Sequence, residues 1–319
     1  MSETKLAPVI IFAFNRPHHV YKTLESLSKC NKIEKTHIIA FVDAPRTSSE
    51  NFKVNAVKKI IKQFRSHFSS LTIHTSKVNE GCDASIRKGI DKVFETYDRA
   101  IILEDDIVVG KNFLESMNIA LEKYYKIKKV FHISAFNFNV PKMKKGVYKN
   151  RFFLFRAMLC WGWATWKDRW QSWNDDPLSQ DVFSLMNTLG ENKNYFNLDG
   201  SYNWWNQLEA NANGELDDTW DILWFSFIQK KKGLCLTPYF SLVRNIGFDG
   251  SGVHCNPINR MDSGLINNSL VDTFPTDIIE TEDAVKMIKS RLRFIRVLNL
   301  PRKIYYILKN LFLKLKIFY

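Results

Sequence analysis

The chain has 319 residues, 45% of them hydrophobic and 25% charged, a balance that supports a sizeable core and excludes wholesale disorder. Its formal charge of +13 would suit a nucleic-acid binder, but ten of the basic residues lie between Lys286 and Tyr319, where there is no acid, and the remainder is close to neutral. The five cysteines, Cys30, Cys82, Cys160, Cys235 and Cys255, show no CxxC spacing and are odd in number, which excludes a zinc knuckle and a disulfide framework.

Val9 to Phe14 is a short apolar run bounded by Pro8 and by Asn15-Arg16, the signature of a buried strand. Pro17 fits the first position of a following helix, with Val20, Leu24 and Leu27 behind it at helical spacing. The unit repeats. Ile38 to Val42 ends at Asp43 and precedes a stripe of Val54, Val57, Ile60, Ile61 and Phe64. A third strand from Leu71 through His74 leads to Asn79-Glu80-Gly81 and then to Ile86, Ile90, Val93 and Phe94. The fourth, Ala100 to Leu103, ends in Glu104-Asp105-Asp106, before a helix carrying Phe113, Leu114, Met117 and Leu121. Four alternations of strand and helix predict an α/β fold with a mainly parallel central sheet and helices on both faces. Ligands of such sheets bind beyond the carboxyl ends of the strands, so Asn15, Arg16, Asp43, Asn79 and the acidic triplet are expected to share one crevice.

After a fifth strand at Val130 to Ile133 the pattern gives way to an aromatic half holding all nine tryptophans. No Pro/Gly/Ser-rich linker separates this half from the sheet, and we assign residues 1–285 to one domain and 286–319 to a basic, aromatic tail. Alternation of basic and bulky apolar residues in that tail suits the interface of an anionic bilayer. No apolar run approaches the roughly twenty residues of a membrane span. The polar N-terminus lacks the features of a secretion signal, and the expected location is cytoplasmic, peripheral on the inner face of the membrane.

Three successive acids after an apolar strand call for something positive to bind. Magnesium or manganese, held by one or two carboxylates together with phosphate oxygens, meets that need. Such an ion offsets charge on a departing diphosphate. The triplet, the opening FAFNRP and the later CWGWATW and TWDILW together resemble the N-acetylglucosaminyltransferase I type family and related bacterial transferases of the glycosyltransferase A fold, over about Pro8 to His254.

The resemblance implies that Asp106 is the metal ligand and that Glu104 and Asp105 contact the nucleotide-sugar. It places Asn15 and Arg16 beside the nucleotide, Asp43 near the uracil and Arg87 near the diphosphate. Trp163, in the family's GWGW position, lies by the donor and acceptor, and His254 falls in its closing loop. Asp221, which follows Trp220 and precedes Gly233 and Pro238, takes the place of the catalytic base. Transfer with inversion needs one carboxylate to take the acceptor hydroxyl proton, separate from the metal.

The implied activity is transfer of a sugar from a UDP-sugar, aided by Mn2+ or Mg2+, to a saccharide or lipid-linked saccharide in surface polysaccharide assembly, with no nucleic-acid partner. A sugar-nucleotide pyrophosphorylase would need a glycine-rich loop after the first strand, and Phe14-Asn15-Arg16-Pro17 has no glycine. Walker A, GxGxxG and GxSxG sequences do not occur. A non-catalytic, membrane-associated sugar binder is the alternative from another class, and it would need neither Asp106 nor Asp221.

Overall fold

Val9–Ala13 (β1) is buried at every residue because it lies between two parallel neighbours and under helices on both faces. The computed structural model describes residues 6–138, 140, 148, 150–216, 220–250 and 265–298, the side chains of 179, 180 and 296–298 excepted. The other strands are His37–Val42 (β2), Ser70–Thr75 (β3), Arg99–Glu104 (β4), Ile107–Val109 (β5), Val130–Ser134 (β6), Phe152–Phe155 (β7), Trp163–Trp166 (β8), Leu234–Pro238 (β9) and Val243–Asn245 (β10). Helices Pro17–Leu27 (α1), Asn51–Gln63 (α2), Gly81–Phe94 (α3) and Phe113–Tyr124 (α4) follow β1, β2, β3 and the β4–β5 pair. In the second half come Lys167–Asn174 (α5), Val182–Leu189 (α6), Lys193–Phe196 (α7), Trp205–Ala212 (α8), Trp220–Lys230 (α9) and Glu282–Leu298 (α10).

The main sheet runs β3-β2-β1-β4-β8-β6-β9-β7. Strands β1 to β4 are mutually parallel, and β6 is parallel to β9. The expected α/β class and mostly parallel sheet are therefore observed. Two strands run against the rest: β8, between β4 and β6, and β7 on the β9 edge. A separate antiparallel ribbon joins β10 to β5 immediately after the acidic run.

Why the aromatic segment becomes strand β8 follows from the pleat, which sends alternate side chains to opposite faces. Trp163 stacks on His132 and Trp220, at 5.0 and 5.2 Å between ring centroids. Trp166 instead donates from Nε1 to the Leu121 carbonyl of α4 at 3.1 Å. Each face of the strand thus has its own helical cover. On the first face Trp163, Trp170, Trp173 and Trp224 form one fully buried stack. His132 is held neutral within it, its pKa pushed down to about 3 by burial.

Helix α10 crosses the expected boundary between residues 285 and 286. Ala284, Val285, Ile288 and Leu292 belong to the main core, so the basic segment begins as a docked helix. Residues 299–319, the greater part of the expected tail, lie outside the described residues.

A buried arginine ties the C-terminal segment to the aromatic half. Arg156 is 4% exposed. Its guanidinium pairs with Asp199 at 2.7 Å and with Glu280, and lies 3.9 Å from the Tyr195 ring. Lys289 of α10 also pairs with Asp199. Replacing Arg156 by Ala takes the described partner from Glu280 and leaves Asp199 with Lys289, and the expected loss is about 3 kcal/mol of unfolding free energy, at the lower end for a broken buried pair. Urea titration checks this; a loss under about 1 kcal/mol, the range of surface pairs, would contradict the assignment.

Candidate active site

Because β1, β2, β3 and β4 are parallel, their carboxyl ends open on one edge. Phe12 pairs with Glu104, Ala13 with Val42 and Val42 with Thr75, which brings the loops after these strands together. Arg16 is the residue immediately before α1, and Pro17 begins the helix as expected.

The guanidinium of Arg16 meets the acidic run directly, paired with Asp105 and, at 3.0 Å, with Oδ2 of Asp106. Asp105 and Asp106 are 3% and 4% exposed. Burial, reinforced by Asp106 and Asp105, raises the Glu104 pKa, with Arg16 opposing. For Asp105 burial again outweighs the pull of Arg16, and its pKa is also raised. Burial lowers the pKa of Arg16, yet the surrounding carboxylates more than reverse this. One guanidinium therefore faces three carboxyl groups and leaves the cluster short of positive charge.

Several groups outside the predicted set fix this geometry. Thr23 donates to the Asp105 carbonyl at 2.8 Å from one turn further along α1. Ile246 N–H donates to the Asp106 carbonyl at 2.9 Å, continuing the β5–β10 ribbon. His19 pairs with Asp249 at 3.2 Å. Gly247 lies so close to Asp106 that an added Cβ would overlap its Oδ2. Arg16, His19 and Thr23 recur at helical spacing, with His19 and Thr23 buried beside Val20, Leu24 and Leu27, and that pattern was the available signal.

Oδ1 of Asp106 is buried and has no hydrogen-bond partner among the described residues. An unpartnered buried carboxylate oxygen is costly by itself. It suits a hard cation, which prefers oxygen ligands, so the donor chemistry fits magnesium or manganese. No group of three or more His, Cys, Asp or Glu side chains able to hold a metal occurs among the described residues.

The remaining expected residues divide. Asn15 shares the edge and donates to Glu50 at 3.0 Å. The carboxylate of Asp43 accepts from the backbone N–H groups of Ala44, Glu80 and Gly81 and from Asn79, and so helps to hold the start of α3. Arg87 lies over the Trp173 ring at 4.7 Å.

Trp163 is 1% exposed within the tryptophan stack. Trp161, two residues earlier, keeps partial exposure and lines a cavity. The positive φ of Gly162, +66°, sits at the change of direction between them. His254 lies outside the described residues.

Asp221 opens α9 and lines the same cavity as Trp161. Its charge helps raise the pKa of Glu104 and, behind burial, that of Cys160. The candidate base and the acid triplet therefore share one electrostatic neighbourhood, although they come from opposite halves of the chain.

Residues 13–161 match the model of glycosyltransferase family 25 (LPS biosynthesis protein), a span just under half of the chain. That match supports a bacterial glycosyltransferase and is not to the N-acetylglucosaminyltransferase I type. No match is found among curated protein sequences. Among solved structures, S. aureus TarS is similar at 12% identity and a TM-score of 0.37, over 56% of this chain and 54% of its own. The chain thus spans about half of that solved TarS chain, residues 1–349. An active-site mutant of LgtC gives 8% identity and a TM-score of 0.36 over 88% and 95%. A UDP-glucose pyrophosphorylase complexed with UDP-glucose gives 10% and 0.34 over 55% and 82%. Likenesses this low do not separate transferase from pyrophosphorylase, and only the chemistry of the site can.

Gly247→Ala tests the close approach at Asp106. The added methyl group should force the ribbon away from the carboxylate and lower stability by about 1–3 kcal/mol, the usual cost of overpacking. Hydrogen exchange at the Ile246 amide should quicken in parallel; unchanged stability and unchanged protection would contradict it.

Proposed function

We propose that the protein is a metal-dependent glycosyltransferase of the glycosyltransferase A type, which moves a sugar from a UDP-linked donor to a saccharide acceptor with inversion. The observation that carries this reading is the buried, unpartnered Oδ1 of Asp106 beside Arg16, at the carboxyl edge of the parallel strands. The family 25 match over residues 13–161 supports the same class.

Asp106 would hold the cation, with Asp105 next to it. A bound magnesium or manganese ion supplies positive charge against the negative charge that grows on the leaving nucleoside diphosphate. Arg16, already the counter-charge to the acids, is placed to turn toward the phosphates and remain paired. Asp221 takes the proton from the acceptor hydroxyl while that oxygen bonds to the anomeric carbon. The bond from that carbon to the phosphate oxygen breaks, and its electron pair leaves with the nucleoside diphosphate. Glu104 and Asp105 would contact the donor, as would Asn15. The carboxylate of Asp43, committed to the start of α3, is a less suitable base contact than the resemblance implies.

The chemistry of residues 299–319 suits attachment to an anionic membrane surface on the cytoplasmic side, and with it a lipid-linked acceptor in surface polysaccharide assembly. No helix among the described residues is long and apolar enough to cross a membrane.

The metal, the base and the tail are tested separately. By calorimetry the wild type should take up UDP with manganese and much less without it, and Asp106→Asn should abolish the difference. Asp221→Asn should keep UDP uptake but lose turnover, read as released UDP, by about 100-fold or more; unchanged turnover would remove Asp221 from the mechanism. Truncation after Leu298 spares the buried face of α10 up to Ile295 and should leave the melting temperature in place while abolishing co-sedimentation with anionic vesicles. Undiminished co-sedimentation would refute the membrane role.

A further inference from the structure

Leu198, Asp199 and Gly200 follow one another with φ of +51°, +52° and +69°, a left-handed run in which the first two residues lack the freedom of glycine. Such a run persists only where its surroundings fix it. Leu198 is fully buried, and the Asp199 amide donates to the Asn194 carbonyl at 2.8 Å. The Asp199 carboxylate is held from two sides, by Arg156 just after β7 and by Lys289 of α10.

The turn carries one wall of the cavity that Asp221 lines. Ser201 and Tyr202 donate from their amides to the Leu198 and Asn197 carbonyls at 3.2 and 3.3 Å. The Asn197 side chain accepts from the Trp205 amide at 2.9 Å and so satisfies the first amide of α8. Tyr202, Trp204 and Gln207, on either side of that bond, line the cavity of about 150 Å3. Trp204 packs on Tyr202 at 4.7 Å and on Phe225 of α9 at 5.3 Å, and with Trp161 it is one of two tryptophans that keep partial exposure. Met158 to Trp161, which line the same cavity, follow Arg156 along the chain. Arg156 thus adjoins both walls, and Lys289 connects one of them to the C-terminal helix.

We propose that Asp199 is a positioning residue for the site: gripped by Arg156 and Lys289, it sets the turn that places Tyr202 and Trp204 on the cavity, and so makes α10 part of the frame. The inference rests on the reading of Asp221 as base for its bearing on transfer, and on the ion pairs and the turn for the position of the wall. Lys289 is the half of the grip that can be released with little loss of global stability, because its side chain is 23% exposed and Asp199 stays paired with Arg156.

The test compares three variants of the full chain. Lys289→Met keeps the aliphatic stem and removes the charge, Lys289→Arg keeps a cation, and Asp199→Asn keeps a residue that accepts the left-handed conformation. Lys289→Met should move the melting temperature by less than about 4 °C. Hydrogen exchange at the Ser201 and Tyr202 amides should quicken about threefold in Lys289→Met and about tenfold in Asp199→Asn, with β1 unchanged. Oxidation by N-bromosuccinimide, read at each tryptophan by mass spectrometry, should quicken at Trp204 in both, while Trp163 and Trp224 of the buried stack stay unoxidised. Lys289→Arg should keep the wild-type values. Wild-type rates at Trp204 and Tyr202 in Lys289→Met and Asp199→Asn overturn the proposal. So does equal quickening in β1 and the buried stack, or a Lys289→Arg variant that behaves as Lys289→Met does. UDP uptake with manganese, measured on the same preparations, should match the wild type throughout. Its absence from the wild type, with the changes at Trp204 and Tyr202 as expected, removes the transferase reading and supports Asp199 as the support of the wall.

Discussion

Three consecutive carboxyl groups opposed by one guanidinium set the terms for everything at the open edge of the sheet. Arg16 can pair with Asp105 and Asp106 only because β1 and β4 are adjacent and parallel, so that the residues just past their ends lie side by side. Moving carboxylates out of water is unfavourable unless charge is returned nearby. A single arginine returns part of it, and the raised pKa values of Glu104 and Asp105 express the shortfall. A second positive charge, as the proposed function requires, would offset that shortfall. Arginine also differs from a metal in a useful way: it can turn toward an arriving phosphate without losing its charge.

The second half of the chain completes this edge from across the sheet. Strand β8 inserts antiparallel between β4 and β6 and thereby carries Trp161 and Cys160 to the neighbourhood of the acid run. The buried tryptophan stack on that strand supplies the rigidity. His132 and Ser134 both reach the Leu159 carbonyl, at 3.0 and 2.8 Å, and so hold the segment that forms the cavity wall. Helix α9 then delivers Asp221 to the other side of that wall. Folding and function are linked here through one aromatic layer, in which the inward rings are core and the two half-exposed ones face a ligand-sized space.

How much of this could be read from the sequence depended on the range of the interactions concerned. Strands β1 to β4 and helices α1 to α4 announced themselves by local periodicity, and Pro17 marked the first residue of α1. The common edge of Arg16, Asp105 and Asp106 followed from the parallel alternation. By contrast, β8 was hidden because Trp163-Ala164-Thr165-Trp166 is buried on both faces and shows no alternation of polarity. The same uniformity concealed that Trp161 keeps partial exposure while Trp163 is buried. Gly247 lies far along the chain from Asp106, and only the β5–β10 pairing shows why a glycine is needed there. The basic residues of α10 suggested a surface tail, yet Ile288 and Leu292 fall on a helical stripe that reaches the core.

The central claim is that Asp106 holds a divalent cation beside a nucleotide's phosphates. A crystal grown with manganese and UDP, with anomalous scattering recorded for the metal, tests it most directly. One strong anomalous peak is expected at a coordination distance of about 2.1 Å from Oδ1 of Asp106, with Arg16 turned toward the diphosphate. Nucleotide bound at this edge with no metal peak at Asp106, or a peak elsewhere while Arg16 keeps its pairing with Asp105 and Asp106, would contradict it.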